Sequence, residues 1–512
     1  MILLHNGNII DGSGQSSQHG SVLIRDQTIE SIGAIDPAPD MEVVDCTDQV
    51  IAPGFIDVHS HADLEVMEHR PEKVMQGVTT EVVGNCGFSL FPTIPSSELV
   101  PAFEIFKSRG EKKWKDAAAY FDDLEALQSH TNVAALTGHS TLRAGVSGMR
   151  AGKLDAAEQR EIEKRLAACL EQGSIGLSTG LNEVPSSYGD FDELIGLCGV
   201  VKQYDGFYTS HLRDYKFHIV EAVQEALDLG RRTRVPVQIS HLQAVGYKNW
   251  EKMDVVLELI DHAHADGVDV GIDAYPYLAG SCGLTQLLPI WALEGGTRHL
   301  LQRLGEPDTR ERIAAETESG MANRWKDILL ATMSHPGQAE LVGKTIQDIA
   351  DARGCSGVAA ALDLLIETQA TVMIVSFNQS EENLRKVLSH PLTSIITDGL
   401  MTAGKPHPRT FGTYPTFLGE FVREKNLMSL EDAIHKTTGL PAHRFHLERQ
   451  GLLRPGYQAN ITIFSAADIG TRGDYTEPAC APQGIEHVLV NGAWAVHQGQ
   501  EQQIFSGRPM RA

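Results

Sequence analysis

Short apolar runs and longer amphipathic stretches alternate through the middle of the chain. Each run has the length and aliphatic composition of a buried β-strand, and helical stretches separate most of the runs. This alternation is typical of a parallel sheet whose strands are joined by helices. The predicted strands cover residues 54–58, 79–83, 132–137, 174–178, 206–209, 235–239, 268–273 and 393–397. Eight parallel strands with intervening helices predict a (β/α)8 barrel of the TIM type.

The two ends of the chain have a different pattern. Short β-like pieces separated by Gly and Asn turns occupy the start of the chain, and similar pieces return near its end. We therefore predict an α/β protein in which residues 1–53 and 451–512 together build a small β-sandwich domain. The barrel then spans residues 54–450.

The segment after the seventh predicted strand is too long for a simple loop. We predict a lid-like insertion over the rim of the barrel at about residues 282–345. Two surplus apolar runs, 328–331 and 372–375, are assigned to the same excursion.

Composition and charge narrow the class of protein. At 512 residues the chain is too long for one ordinary core, and 42% hydrophobic with 21% charged residues is typical of a globular protein. The net charge of −24 disfavours nucleic acid as a partner, because so negative a surface repels phosphate. No apolar stretch reaches membrane-spanning length, so we expect no membrane partner either. The expected partner is a small molecule, and the oligomeric state stays open.

The cysteines indicate the compartment. Seven are scattered along the chain without a CxxC pair, which argues against a disulfide framework and for a reducing environment. The first residues lack a basic segment followed by a long apolar run, which a secretory signal would have. We therefore expect a cytoplasmic protein.

Residues that can ligate a metal stand at the carboxyl ends of five predicted strands. They are His59, His61, Cys86, His211, His241 and Asp398. Parallel strands bring these ends to one rim, so the residues are expected to meet although they are far apart in the chain. Imidazole, thiolate and carboxylate are ligands of zinc, and a catalytic zinc keeps one position open for water. The pattern predicts a metal-dependent hydrolase whose catalytic part is the barrel.

Each of these residues also has a structural interpretation. A lone cysteine is more often a small buried hydrophobe, and Asp398 before Gly399 could cap a helix. Each structural interpretation is reasonable for one residue alone, but together they are weakened because all the candidates are expected on one rim. Iron and manganese stay open as alternatives, although a thiolate favours zinc.

Short motifs extend over almost the full chain. They lie at residues 53–63, 84–87, 138–139, 177–181, 210–213, 239–242, 275–281, 397–399 and 406–409. With these motifs the chain resembles the amidohydrolase superfamily and, within it, the N-acyl-D-amino-acid deacylases, or D-aminoacylases. The His-x-His motif fits the whole superfamily, whereas Gly-Asn-Cys-Gly, Tyr-Pro-Tyr and Pro-His-Pro-Arg are narrower and favour the deacylases.

The resemblance implies roles for the metal-capable residues. A tightly bound zinc would be held by Cys86, His211 and His241, and a second, weaker metal position would be lined by His59, His61 and Asp398. Asp398 is expected to take a proton from the attacking water and return it to the leaving nitrogen. The fourth predicted strand, 174–178, lacks the modified lysine that bridges two metals in most of the superfamily, in agreement with a site that contains cysteine.

The resemblance also implies substrate contacts. Tyr275 and Ser281 match positions that contact the substrate carboxylate, and Gln243 stands where the family often has a lysine that joins them. This departure leaves the carboxylate partner and the substrate range open. The candidates to replace the lysine are Lys248, Arg213 and Arg409. His139 is a candidate oxyanion or orienting group, with packing in the core as its alternative.

We therefore expect zinc-dependent hydrolysis of the amide bond of N-acyl-D-amino acids. The D configuration comes from the resemblance and not from the residues themselves. Hydrolysis of dipeptides that contain a D-amino acid stays open. A cyclic-amide hydrolase of the hydantoinase or dihydroorotase type is disfavoured by Cys86 and the missing lysine. The full set of metal-capable residues argues against a scaffold protein without activity.

Overall fold

The computed structural model describes residues 1–93, 114–333 and 337–512. Its strands are β1 (Ile2–Ile9), β2 (Gln18–Arg25), β3 (Thr28–Gly33), β4 (Glu42–Asp45), β5 (Val50–Pro53), β6 (Phe55–Asp57), β7 (Val78–Val83), β8 (Asn132–Ala135), β9 (Thr137–Gly138), β10 (Gly176–Gly180), β11 (Phe207–His211), β12 (Val237–Ile239), β13 (Val270–Ala274), β14 (Ala279–Gly283), β15 (Ile328–Leu330), β16 (Met373–Phe377), β17 (Thr393–Ile395), β18 (Ile461–Phe464), β19 (Ile485–Val490), β20 (Ala493–His497) and β21 (Gln500–Glu501).

The α-helices of the described residues alternate with these strands through the middle of the chain. They are α1 (Ala117–Leu127), α2 (His139–Ser147), α3 (Ala156–Glu171), α4 (Phe191–Gln203), α5 (Ile219–Thr233), α6 (Met253–Ala265), α7 (Thr297–Gly305), α8 (Pro307–Ser319), α9 (Ile346–Arg353), α10 (Gly357–Glu367), α11 (Glu381–Ser389), α12 (Arg409–Thr416), α13 (Leu430–Thr437) and α14 (Gly439–Arg444). A π-helical segment, Phe417–Glu424, continues α12.

Parallel strands form a closed barrel. One parallel sheet has the order β6-β7-β8, and a second has the order β17-β13-β12-β11-β10-β9. β8 and β9 are two parts of one strand interrupted at Leu136. A parallel bridge between Ser60 and Gly399 joins the ends beyond β6 and β17. The strands lie where the apolar pattern predicts them, and the (β/α)8 barrel is confirmed.

Amphipathic patterning and capping explain the helices around the barrel. In α5, Ile219, Val223 and Leu227 recur at helical spacing and are buried. Asp155 caps the start of α3 with a capping box. Its carboxylate accepts the backbone N–H of Glu158, and the carboxylate of Glu158 accepts the backbone N–H of Asp155. α5 therefore presents an apolar face to the strands, and α3 begins where a capping side chain satisfies its free N–H groups.

Strands from both ends of the chain form one nine-stranded sheet. Its order is β21-β20-β19-β18-β5-β1-β2-β3, with β4 paired to β1. β18 pairs antiparallel with β5, so that Ile461 lies opposite Pro53. The two ends of the chain therefore meet in one β-structure, as predicted. The boundaries at residues 53 and 451 stay a prediction.

The excursion between β13 and β17 forms a small antiparallel sheet with helices α7 to α10. β16 pairs with both β14 and β15, so the two surplus apolar runs belong to this excursion, as expected. It extends to Phe377, beyond the predicted lid at 282–345, because β16 is the strand that pairs with β14 among the described residues. Residues 334–336 of that range lie outside the described residues. Cys86 and Phe88 of the barrel rim belong to the apolar core of the excursion, which therefore packs against the mouth of the barrel.

The cysteines are all free thiols, as expected for a chain without a disulfide framework. Among the residues that the structure describes, no helix combines the length and apolar composition needed to cross a bilayer.

Candidate metal centre and substrate cavity

The six metal-capable residues stand together at the carboxyl ends of the barrel strands. Cys86 Sγ lies 3.3 Å from Nε2 of His59 and 3.5 Å from Nε2 of His241. The ligand atoms of three overlapping trios each lie within 4.8 Å of one another: His59 with His61 and Cys86, Cys86 with His211 and His241, and His59 with His241 and Asp398. The topology thus brings all six predicted residues into one site.

Unusual backbone conformations aim three of these side chains at the site. Cys86, His241 and Asp398 have φ angles of 52°, 33° and 47°, in the left-handed region that side chains rarely adopt. Gly87 also has a positive φ, and a Cβ there would lie 2.7 Å from the backbone nitrogen of Gly180. Such conformations persist where the surrounding structure enforces them, and they are concentrated at functional sites.

Hydrogen bonds between the segments after β6 and β17 hold His59, His61 and Asp398 in place. The backbone N–H of Asp398 donates to the carbonyl of His59 at 2.9 Å, and that of His61 donates to the carbonyl of Gly399 at 3.1 Å. The side chains also meet, since Nε2 of His61 lies 3.2 Å from Oδ1 of Asp398, and Nε2 of His59 lies 3.6 Å from the same oxygen.

Burial keeps the imidazoles of His211 and His241 neutral, which is the form that ligates a metal. It lowers the pKa of His241 to about 3 and holds the pKa of His211 well below its usual value. Burial likewise raises the pKa of the Cys86 thiol, so that metal binding would release its proton. Among the described residues, neither ring nitrogen of His211 has a hydrogen-bond partner. A thiol beside neutral imidazoles with free nitrogens fits zinc.

Asp398 is the charged group of the centre. Burial alone would raise its pKa, but Arg409, His61 and the neighbouring imidazoles together hold it well below the usual range. Arg409 contributes most to this lowering, because its Nη1 lies 2.8 Å from Oδ2 of Asp398. The carboxylate is therefore ionised at neutral pH.

Two buried residues that support the centre were not predicted. Oδ1 of Asp273 accepts the backbone N–H of His241 at 2.6 Å and lies 3.6 Å from Nδ1 of His59. Lys73 donates to Thr397 and pairs with Asp57, which joins the segments before His59 and Asp398. An aspartate at the end of the seventh predicted strand is a signal that could have revealed Asp273. Lys73 lies outside any predicted strand and gives no such signal.

A cavity of about 390 Å³ opens from the metal-capable residues. The predicted substrate residues that line it are Tyr275, Ser281, Gln243, Arg213 and Arg409. Apolar side chains, among them Phe88, Leu288 and Met373, cover much of the rest of its wall. A volume of this size suits a small organic ligand.

Arg409 and Tyr275 form one wall of the cavity. The guanidinium of Arg409 lies over the ring of Tyr275, 4.6 Å from its centroid. Burial raises the pKa of the Tyr275 hydroxyl to about 12, although the positive charge of Arg409 and, to a smaller extent, Gln243 oppose the rise. The hydroxyl is therefore protonated and can donate to an anion.

The remaining candidates have other contacts. Both ring nitrogens of His139 are engaged, with Ser186 at 2.6 Å and Glu193 at 2.7 Å, and His139 is fully buried away from the cavity lining of the described residues. Lys248 donates to the carbonyl of Met321 at 3.0 Å and is not among the described residues that line the cavity. Their predicted substrate roles stay predictions, and these contacts favour structural ones.

Comparison with known proteins identifies the family. The model of the amidohydrolase family matches residues 42–188 and 218–496. The chain belongs to the amidohydrolase family. This confirms the relationship predicted from the motifs.

Relatives that match over nearly their whole length include deacylases. The chain is 35% identical to N-acyl-D-glutamate deacylase of Alcaligenes xylosoxydans xylosoxydans, over 96% of this chain and 92% of the relative. It is 34% identical to D-aminoacylase of the same organism, over 99% and 96%. The crystal structure of N-acyl-D-glutamate deacylase from Bordetella bronchiseptica matches with a TM-score of 0.87 and 33% identity, covering 100% of this chain and 99% of that one.

Proposed function

We propose that this protein is a zinc-dependent hydrolase of N-acyl-D-amino acids that gives a carboxylate and a free D-amino acid. One observation carries the proposal: a thiol, neutral imidazoles and an ionised carboxylate meet in the wall of a cavity sized for an acylated amino acid. The D configuration is supported by the deacylases to which the chain is similar. The cytoplasmic location expected from the cysteines is part of the proposal.

Zinc is the metal that fits the donor set best. The related Bordetella deacylase was crystallised with zinc and a phosphonate that mimics the tetrahedral intermediate. Here the tightly bound ion would be held by Cys86, His211 and His241, and a second position would be lined by His59, His61 and Asp398. Zinc bound there would supply a Lewis acid that polarises the amide carbonyl and lowers the pKa of water to roughly 7.

Asp398 is placed to move the proton. Arg409 keeps its carboxylate ionised, so Asp398 can accept a proton from the water that attacks the amide carbonyl. The same proton then passes to the nitrogen as the C–N bond breaks, so the amine leaves as a neutral group. Tyr275 and Ser281 would meanwhile hold the substrate carboxylate at the far side of the amide.

Asp398→Asn tests the catalytic assignment. The variant should lose ~10²- to 10⁴-fold in kcat, because asparagine cannot accept the proton. Zinc content by elemental analysis should be largely retained, since the tight position does not use Asp398. The matched control is Asp205→Asn, which changes an aspartate with 88% side-chain exposure and should keep full activity.

Near-native kcat in Asp398→Asn would contradict its role as the base. The stereochemical part of the proposal is tested separately, with N-acetyl D- and L-amino acids offered to zinc-loaded wild-type protein. Preference for the L series would contradict the proposed substrate class.

A further inference from the structure

A substrate carboxylate requires a cation that is not already neutralised, because a buried charge without a partner is strongly disfavoured. Among the described residues, three cationic side chains line the cavity: Arg213, Lys216 and Arg409. Gln243, where the family resemblance led us to expect a lysine, is neutral. These three side chains are therefore the cations of the described cavity wall from which a partner for the carboxylate of the proposed substrate is sought.

Both arginines already have carboxylate partners. Arg213 forms a two-pronged pair with Glu225, in which Nε and Nη2 each donate at 2.9 Å. Two of its remaining three N–H groups donate to the carbonyls of Ser187 and Gly189 at 3.1 and 3.0 Å. Arg409 is paired with Asp398 at 2.8 Å. Arg213 could not bind a second carboxylate at full strength without giving up part of its pairing. Arg409 keeps a buried Nε without a partner among the described residues, but its charge is already balanced by Asp398.

Lys216 differs from the arginines. Its backbone N–H donates to the carboxylate of Asp214, which fixes the turn after β11. Within the described part of the chain, its ammonium forms no ion pair or hydrogen bond, although Asp214 and Glu183 also line the cavity. Glu183 is instead bonded by the amide of Gln286. The cavity therefore contains one unpaired ammonium group among the described residues.

Lys216 lines the same cavity as the two residues expected to contact the carboxylate. Lys216 belongs to the segment after β11, whereas Ser281 lies in β14 and Tyr275 directly follows β13.

We propose that Lys216 binds the substrate carboxylate, beside Tyr275 and Ser281, and so replaces the lysine that this chain lacks at Gln243. This assignment rests on the proposed function, which supplies the carboxylate. Lys216 is a binding residue, so its loss should act on affinity rather than on the chemical step.

The test compares wild type, Lys216→Gln and the double variant Lys216→Gln/Gln243→Lys. N-acetyl-D-leucine is the substrate, because the wall of the cavity is largely apolar. N-methylsulfonyl-D-leucine keeps the carboxylate but resists hydrolysis, so calorimetric titration gives its Kd without turnover. The matched control is Lys202→Gln, an exposed lysine on α4 that pairs only with Asp205 among the described residues.

In Lys216→Gln, KM for the substrate and Kd for the sulfonamide should both rise ~10- to 100-fold, as expected when a hydrogen bond to a charged group is lost. The kcat should stay within about threefold of wild type, since the change removes binding of substrate and transition state alike. Gln243→Lys in the same chain should recover a large part of the lost affinity, because it returns the positive charge to the cavity. The control should match wild type.

Two results would overturn the assignment. If wild type hydrolyses N-acetyl-D-leucine and Lys216→Gln has the same KM and Kd, the assignment of Lys216 is wrong while the proposed function stands. If wild type neither hydrolyses the N-acyl-D-amino acid nor binds the sulfonamide, the proposed function is wrong and the assignment falls with it.

Discussion

Asp273→Asn removes a buried charge behind the metal centre while preserving its shape. Oδ1 of Asp273 accepts the backbone N–H of His241 at 2.6 Å, and an asparagine oxygen can accept the same bond. Oδ2 accepts from Gln238 at 2.8 Å, and the unpartnered Oε1 of Gln238 allows that amide to turn and accept from asparagine instead. The change therefore isolates the charge that lies 3.6 Å from Nδ1 of His59.

The expected effect is a loss of metal affinity without unfolding. A carboxylate behind a metal-ligating histidine orients the ring and raises its basicity, and its loss costs ~10- to 100-fold in affinity. The separation of 3.6 Å is longer than a hydrogen bond, so the lower end applies. We expect ~10-fold weaker zinc binding, or about 1.4 kcal/mol, at the position lined by His59.

Competition with a fluorescent chelator measures the dissociation constant of each bound zinc. The control is Asp254→Asn, an aspartate on α6 whose side chain is 64% exposed and which should bind zinc like wild type. Unchanged dissociation constants in Asp273→Asn would refute the reasoning. So would a loss confined to the tightly bound ion, because the charge lies beside His59.

Two further substitutions test the cavity and the fold. Tyr275→Phe removes a hydroxyl expected to contact the carboxylate, so KM for N-acetyl-D-leucine should rise ~3- to 10-fold in steady-state assays, and an unchanged KM would argue against the contact. Glu193→Gln breaks the buried pairing with His139 and Arg143, which lowers the pKa of Glu193 from 4.5 to about 2. This pairing stabilises the fold above pH 4.5 and is lost as the pH falls towards 2, so urea unfolding should show a loss of about 3 kcal/mol at pH 7 that shrinks in acid. A loss of stability in acid equal to the loss at pH 7 would contradict that account.

The barrel and its metal-capable residues could be predicted because both follow from local patterns. All strands of a parallel sheet run in one direction, so their carboxyl ends lie on the same rim. A metal ligand that directly follows any of these strands is therefore on that rim. Cys86 and Asp398 could therefore be placed together from their positions after β7 and β17 alone. The meeting of the two chain ends followed from their shared β-like pattern, whereas the pairing of β18 with β5 was not predicted.

The partners of the charged residues could not be predicted, because they depend on which loops the fold brings together. Nothing local couples Arg213 to Glu225, or Arg409 to Asp398, and these pairs decide which cations are free. Lys216 was not predicted as a candidate, because the sequence does not show that its ammonium has no carboxylate partner in the fold. The pairing of β16 with β14 could not be predicted either, since it is a contact between distant segments.

The central claim is that segments far apart in the chain bring their ligand atoms to one metal ion, and that the Cys86 thiolate is one of these ligands. Cobalt(II) bound in place of zinc reports this directly, because a thiolate ligand gives an intense near-ultraviolet charge-transfer band. Wild-type protein loaded with cobalt should show the band, and Cys86→Ser should lose it although the remaining cysteines are unchanged. A band that persists in Cys86→Ser, or wild type without one, would contradict the account.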